Sequence, residues 1–432
     1  MTDTTDNARR AFCCGLAASL LPRNTPAAGA PAAGSTLRVI VIGAGFGGAA
    51  CAKYLQFLSP QTQVLLVERR RAFFTGPFSN AVIAGLRTPQ SITRRLTAIG
   101  RANRVTALHA EVTEVDPVTL RVTTASGRRY RADRLVLSPG IAMRWGFIEG
   151  LDAANSSAMP HAWLGDSQVL TLRERLRSVP DGGTIVVGAP PNPYRCPPGP
   201  YERASLMAYM LKRSGRSRTK IIIADAKDDF SKSALFKLEW DTLYPGVIDW
   251  ISRAAGGELI RVDTNSGRVW MRGSGQPMKA DLASVIPAQR AADVAVRADL
   301  VDESGWCPIN ADNFESLRHP GVHVIGDACL GAPIPKSAFA ANSQAKLCAS
   351  AIIAAHRGAA APPPRLLNTC YSLVSATQAI SVSGLYASEA GKLSIVSEGM
   401  SPLAGDEALR LREARQAQAW YENITADSFG PS

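Results

Sequence analysis

The sequence predicts an α/β protein with two Rossmann-like units and a small C-terminal α+β unit. Three observations predict it. An apolar run, Leu37-Arg38-Val39-Ile40-Val41-Ile42, leads straight into Gly43-Ala44-Gly45-Phe46-Gly47-Gly48, and Ala49 to Leu58 reads as a helix. A second strand-like run, Thr184-Ile185-Val186-Val187, opens another β/α unit that includes Lys220-Ile221-Ile222-Ile223-Ala224-Asp225. A late strand, Val322-His323-Val324-Ile325, ends in Gly326-Asp327. A chain of 432 residues has room for two to three domains and an ample core.

Residues 1–34 read as an export signal. Arg9-Arg10-Ala11-Phe12 is a twin-arginine pattern, and Ala11 to Leu21 is an apolar core too short to span a bilayer. Pro22 to Gly34 is small and cleavable, with Gly34/Ser35 as one candidate cleavage point. Twin-arginine signals direct folded proteins to the periplasm, which suits a chain loaded with a cofactor before export. The plain alternative is a tail with a chance Arg-Arg pair. No other segment reaches transmembrane length.

Residues 35–150 are expected to hold the first part of a dinucleotide-binding domain. Gly43, Gly45 and Gly48 have the Gly-x-Gly-x-x-Gly spacing that lets backbone and helix N-terminus approach a pyrophosphate. Val64-Leu65-Leu66-Val67 is the second strand, and Glu68, 20 residues past Gly48, is placed to bond ribose hydroxyls. The glycines alone are a weak signal. Strand, turn, helix, strand and acid at this spacing are specific. Leu135-Val136-Leu137-Ser138-Pro139-Gly140 looks like a later strand-to-glycine connection of the same fold, making Gly140 a binding candidate.

Residues 151–285 form the second Rossmann-like domain, but its loop is unusual. Where a nicotinamide site needs glycines, this chain has Gly188-Ala189-Pro190-Pro191-Asn192-Pro193-Tyr194-Arg195-Cys196-Pro197-Pro198-Gly199-Pro200. Proline offers no N–H to phosphate and stiffens the loop around the thiol. A sulfur centre is expected in place of the second nucleotide.

The first domain resumes over residues 286–358. Gly326-Asp327 argues for FAD, because two-dinucleotide flavoproteins place such a late carboxylate on the ribityl or pyrophosphate region; an ordinary strand-end turn is the alternative. Pro335-Lys336-Ser337 opens a helix whose N-terminus suits the charge on reduced flavin, and Lys336 is a candidate for stabilising it, with a surface lysine as the alternative. A proline-rich linker, Ala359 to Pro364, leads to a C-terminal flavin-site and interface unit over residues 365–432, with a helical stretch from Asp406 to Asn423.

The net charge of +12 is spread along the chain, and no nucleic-acid recognition motif accompanies it. Such charge favours an anionic small molecule or an acidic protein partner. Of eight cysteines, Cys13 and Cys14 lie in the signal. Cys51, Cys307, Cys329 and Cys348 have apolar or Gly-rich surroundings without metal-ligand spacing, so they read as filler and no metal site is expected. No Cys-x-x-Cys-His motif is present, so no c-type haem is expected on this chain. Cys196 and Cys370 differ: both have polar, loop-like contexts, and an oxidising compartment permits a disulfide between them, redox-active or purely structural.

The chain resembles the flavoprotein subunit of flavocytochrome c sulfide dehydrogenase and its relative in periplasmic sulfur-oxidation (Sox) systems, within the disulfide-reductase-like flavoproteins. The resemblance rests on Pro160-His161-Ala162-Trp163, the long run from Arg195 through Cys196 and Glu202 to Ser205, Gly305-Trp306-Cys307-Pro308, His323 to Cys329, Pro335-Lys336-Ser337, Ala341-Asn342-Ser343-Gln344 and Leu367-Asn368-Thr369-Cys370-Tyr371-Ser372. It implies a redox disulfide between Cys196 and Cys370 over the flavin, with Glu202 nearby, handling protons or bonding the loop backbone. It implies a c-type cytochrome subunit as electron acceptor. Hydrosulfide would attack one sulfur, leaving a persulfide and a thiolate, and two electrons would pass to FAD.

One departure matters. The family often links FAD through a cysteine in an aromatic-aromatic-Thr-Cys segment, and here Phe73-Phe74-Thr75 is followed by Gly76. Glycine has no nucleophile, so non-covalent FAD is expected. Three rival functions are weighed. A sulfide:quinone oxidoreductase would want an apolar C-terminal patch, and residues 403–432 are charged. A type II NADH dehydrogenase would want the second glycine loop. An accessory flavoprotein modulating a sulfur-oxidising multienzyme system would show no turnover alone.

Overall fold

The computed structural model of the protein describes residues 36–431. The twin-arginine segment, its two cysteines and the Gly34/Ser35 point lie outside the described residues.

The first unit begins with β1 (Arg38–Ile42), α1 (Phe46–Leu58), β2 (Gln63–Glu68), β3 (Thr106–His109) and β4 (Arg134–Leu137). The second contains β5 (Thr184–Ala189), α2 (Gly199–Arg213), β6 (Lys220–Asp225), α3 (Ser233–Leu243), β7 (Ile248–Ile251) and β8 (Leu282–Val285). The chain then returns through β9 (Val322–Val324) and α4 (Ala338–His356), and ends in β10 (Arg365–Leu373), β11 (Ala379–Glu389), β12 (Lys392–Met400) and α5 (Glu407–Phe429).

The β1 run is apolar from Val39 to Ile42 and buried throughout that stretch, as a central parallel strand requires. It pairs in parallel with β2 on one side and β4 on the other, and β9 closes the far edge, giving the order β9-β4-β1-β2-β3. The second sheet is also parallel, β7-β6-β5-β8. Ile141–Met143 pairs antiparallel with Gln289–Ala291, so the chain leaves and re-enters the first unit side by side. This is the α/β class expected.

The last unit, an antiparallel sheet β10-β11-β12 with α5, belongs to both cores. Ile424 and Phe429 of α5 pack into the core of the first unit. Val374, Ile380 and Tyr421 pack into that of the second. Helix α5 runs six residues beyond the expected end at Asn423, because polar contacts hold its last turns. The Asp427 carboxylate accepts the Tyr54 hydroxyl and the Asn342 amide, each at 2.8 Å, and the Lys53 ammonium donates to the carbonyls of Gly430 and Pro431. Cys370, expected in a loop-like context, lies within the nine-residue strand β10. Full pairing with β11, residue for residue from Arg365 to Leu373, overrides the polar composition.

Candidate active site

The two sheets and the C-terminal unit enclose a cavity of about 670 Å³. Its nucleotide end is built by the first glycine turn. Gly43 has φ +98°, and a Cβ there would stand 2.3 Å from the Ser138 carbonyl oxygen. A Cβ at Gly48 would stand 1.8 Å from the Gly43 oxygen, so this glycine packs helix against strand and does not line the cavity. Gly45 is the N-cap of α1 and has no side-chain acceptor, which leaves the first helical N–H groups for a phosphate. Glu68 lines the cavity at the end of β2; its carboxylate accepts the N–H groups of Ala44 and Arg70, each at 2.9 Å.

Gly140, Gly326 and Asp327 line the same cavity. Asp327 Oδ2 accepts Arg195 Nε–H at 2.6 Å, while its Oδ1 is buried with no partner. A buried carboxylate oxygen left unpaired is a group waiting for a donor, and a ribityl hydroxyl would supply one. Ser337, Ala338 and Ala341 bring the N-terminus of α4 to the cavity, where Ser337 Oγ caps the helix by accepting the Ala340 N–H. A glycine cradle, a ribose-side acid, an unpartnered carboxylate oxygen and two helix N-termini fit FAD.

Lys336, the candidate for stabilising reduced flavin, has its ammonium on backbone carbonyls beside the cavity. Its ammonium donates to the carbonyl oxygens of Asp327 and Cys329 at 2.8 and 2.7 Å and lies 3.8 Å from the Trp306 ring centre. It is not among the cavity-lining residues. The two carbonyls and the ring hold the half-buried side chain, and the Lys336 backbone carbonyl accepts the Cys196 N–H at 2.8 Å.

Cys196 and Cys370 both line the cavity, one from the proline loop and one from β10. Both are free thiols in this structure. Cys196 has φ +59°, a left-handed conformation rare for a residue with a side chain. The loop is held there by Trp163 Nε1–H donating to the Arg195 carbonyl at 3.1 Å and Tyr194 O–H donating to the Pro197 carbonyl at 2.6 Å. Burial, then the Glu202 carboxylate, pushes the Cys196 thiol well up. Burial also raises Cys370, against the Lys232 ammonium and the Ser337 and Asn368 side chains.

Glu202, in the first turn of α2, lines the same cavity. Its oxygens accept the Asn80 amide at 2.8 Å and the Leu373 N–H at 2.9 Å. Burial raises its pKa. Three further residues were not singled out from the sequence. Arg195 joins Asp327 to the cysteine loop, and its place beside Cys196 was the only signal. Asn80 bridges Glu202 and the Gly199 carbonyl. Arg203 is buried and donates to Asn80, Ser284 and the carbonyls of His161 and Ala162.

At the second nucleotide position the strand-end acid is engaged by protein groups. Asp225, where β6 ends, corresponds in place to Glu68 where β2 ends. Its carboxylate accepts Tyr201 O–H at 2.5 Å, Trp250 Nε1–H at 2.9 Å and the Lys227 ammonium at 2.6 Å. Nothing is left for a ribose. The other cysteines are interior: Cys307 and Cys329 are neighbours in a parallel bridge, and burial pushes their thiols up to about 12 and about 11. Cys51 and Cys348 are fully buried on α1 and α4. Among the described residues no group of three or more His, Cys, Asp or Glu could hold a metal ion.

Comparison with known proteins decides the family. Residues 169–287 match the central-domain model of the sulfide dehydrogenase [flavocytochrome c] flavoprotein chain, and residues 362–429 match the flavin-binding model of flavocytochrome c sulphide dehydrogenase. Residues 37–189 match the pyridine nucleotide-disulphide oxidoreductase model. The sulfide dehydrogenase [flavocytochrome c] flavoprotein chain of Chlorobaculum thiosulfatiphilum is 62% identical over 47 residues, which are 11% of this chain and 98% of that one. This chain belongs to the flavocytochrome c sulfide dehydrogenase flavoprotein family.

It is therefore an FAD-dependent oxidoreductase of the sulfide dehydrogenase family. The sulfide-quinone reductase of Aquifex aeolicus is 29% identical over 178 residues, covering 41% of this chain and 40% of that one. The solved sulfide:quinone oxidoreductase from the same bacterium has the same fold, with TM-score 0.71 and 18% identity over 92% of this chain and 93% of that chain. Among the described residues no helix is long and apolar enough to cross a membrane.

Proposed function

We propose that the chain is an exported sulfide dehydrogenase flavoprotein that oxidises sulfide through a Cys196–Cys370 disulfide and passes the electrons, by way of non-covalent FAD, to a separate c-type cytochrome. The observation that carries this reading is that two cysteines far apart in sequence line one cavity with the glycine cradle and Asp327. FAD, when bound, supplies the two-electron acceptor. The chain's own residues prepare the sulfur chemistry. The Lys336 carbonyl and Trp163 hold the Cys196 loop, Glu202 ties it to β10, and hydrosulfide opens the disulfide to a persulfide and a thiolate. The twin-arginine pattern in residues 1–34 supports the periplasmic location. The Asp225 network supports an acceptor other than a nicotinamide.

The experiment is anaerobic sulfide titration of the purified, FAD-loaded chain, followed by flavin absorbance with cytochrome c, then with a soluble quinone, at low and high salt. Sulfide should bleach the flavin, and cytochrome c should restore its colour, faster at low salt if the docking face of the cytochrome is acidic. Restoration by quinone with no response to cytochrome c would assign a quinone reductase. Failure of sulfide to bleach the flavin would leave an accessory flavoprotein.

A further inference from the structure

Lys232 is an interior lysine whose acceptors are neutral. It is 3% exposed, and its ammonium donates to Ser372 Oγ at 2.8 Å and to the Ile380 carbonyl at 3.4 Å. The nearby carboxylates are already engaged: Glu202 by Asn80 and Leu373, and Glu413 by Arg410, Ser381 and Ser401. Desolvation penalises such a cation unless an anion offsets it. Burial pushes the ammonium down to about 8, against the pull of Cys370, Glu202, Cys196 and Glu413, in that order.

The backbone at this lysine is also unusual. Lys232 caps the N-terminus of α3 at φ +64°, where glycine would sit without strain. Such conformations persist where the surroundings hold them, and they cluster at functional sites. What this turn delivers is the side chain, carried from the second Rossmann-like unit to β10. On that strand Asn368, Cys370 and Ser372 share one face, because side chains alternate. Asn368 Oδ1 accepts the Cys370 S–H at 3.5 Å, and Ser372, two residues along, holds the lysine.

We propose that Lys232 is the positioning counter-charge of the sulfur pair: tethered through Ser372, it sets a positive charge beside Cys370 that offsets the anion formed when hydrosulfide opens the Cys196–Cys370 bond. The inference rests on the sulfide-oxidising reading above. In the step, HS⁻ forms a bond to one sulfur, the S–S bond breaks, and its electron pair stays on the other sulfur as a thiolate. One negative charge enters and one remains, now inside the protein. Lys232 keeps its proton throughout. The groups that face it and set the pH response are Cys370, Cys196, Glu202 and Glu413, the last compensated by Arg410.

The test uses the full chain with FAD, and the variants Lys232→Met and Ser372→Ala. The reduced pair is alkylated with iodoacetamide across pH, without sulfide, and the modified cysteine is located by peptide mass. The midpoint should rise by about one pH unit in Lys232→Met, equal to about a tenfold loss of thiolate at neutral pH, and by less in Ser372→Ala. Sulfide-dependent flavin reduction should fall by a similar factor while FAD content holds. An unchanged alkylation midpoint in Lys232→Met overturns the proposal, and if that variant does not fold, an unchanged midpoint in Ser372→Ala does so. Because alkylation needs no sulfide, this failure is separate from failure of the sulfide reading, which would show as wild-type flavin bleaching in Cys196→Ser and Cys370→Ser.

Discussion

The Glu202 carboxylate accepts the Leu373 backbone N–H at 2.9 Å, which ties the helix that starts beside Cys196 to the strand that carries Cys370. Its second oxygen holds Asn80 in the segment that follows Gly76. One side chain therefore joins the helix that follows the cysteine loop, the strand that carries Cys370 and the cavity wall. Both oxygens are occupied, which favours a positioning role over proton transfer.

Glu202→Ala should leave two donors unpaired and cost about 1–3 kcal/mol of stability. Glu202→Gln keeps one acceptor and should retain more. Because the carboxylate raises the Cys196 thiol, both changes should lower the pH at which that thiol is alkylated, opposite in sign to Lys232→Met. Denaturant titration and the alkylation profile check the pair of expectations.

Cys196→Ser and Cys370→Ser should each bind FAD and lose sulfide-dependent flavin reduction by about a hundredfold or more, since each removes one half of a covalent relay. Cys51→Ser and Cys348→Ser should change the rate less than about twofold, at a stability cost of about 1–3 kcal/mol for burying a hydroxyl. Stopped-flow absorbance with sulfide separates the two groups. Near wild-type reduction in both members of the first group would reduce the pair to a structural staple.

Acid precipitation should release all flavin into the supernatant, because Gly76 offers no nucleophile. A Cβ at Gly76 would meet nothing within 4 Å, so the cavity has room for Gly76→Cys. That variant should hold part of its flavin in the acid pellet. Yellow colour in the wild-type pellet would show an attachment elsewhere.

His161 should make the protein acid-sensitive. Its Nδ1 accepts the Trp163 N–H at 3.1 Å, so the ring is neutral there, and burial lowers its pKa from 6.5 to about 4. A depressed base contributes stability that is fully present above the unfolded pKa and is lost as pH falls toward the folded one. The window is therefore pH 6.5 down to about 4, and the full contribution is about 3 kcal/mol. Denaturant midpoints across that range should fall with pH in the wild type and fall less steeply in His161→Gln. Parallel slopes would assign the acid sensitivity to other groups.

The nucleotide end of the cavity was legible in the chain itself. Gly43, Gly45 and Glu68 are set by spacing along one strand-turn-helix-strand unit, where backbone geometry dictates position within a few residues. The proline loop likewise announced its lack of nucleotide-binding glycines. The sulfur end was not legible in that way. Cys196 and Cys370 lie on different units, and only packing of the C-terminal sheet against both cores brings their elements to one cavity. The same holds for Lys336, whose motif suggested a flavin contact and whose ammonium is held by two carbonyls and Trp306 that no local spacing specified. It holds for Lys232, which no motif marked and which reaches β10 from 140 residues away. Local spacing is written in the sequence because covalent geometry carries it. Where a buried charge finds its partners is decided by the tertiary fold, because desolvation makes only the paired arrangements tolerable.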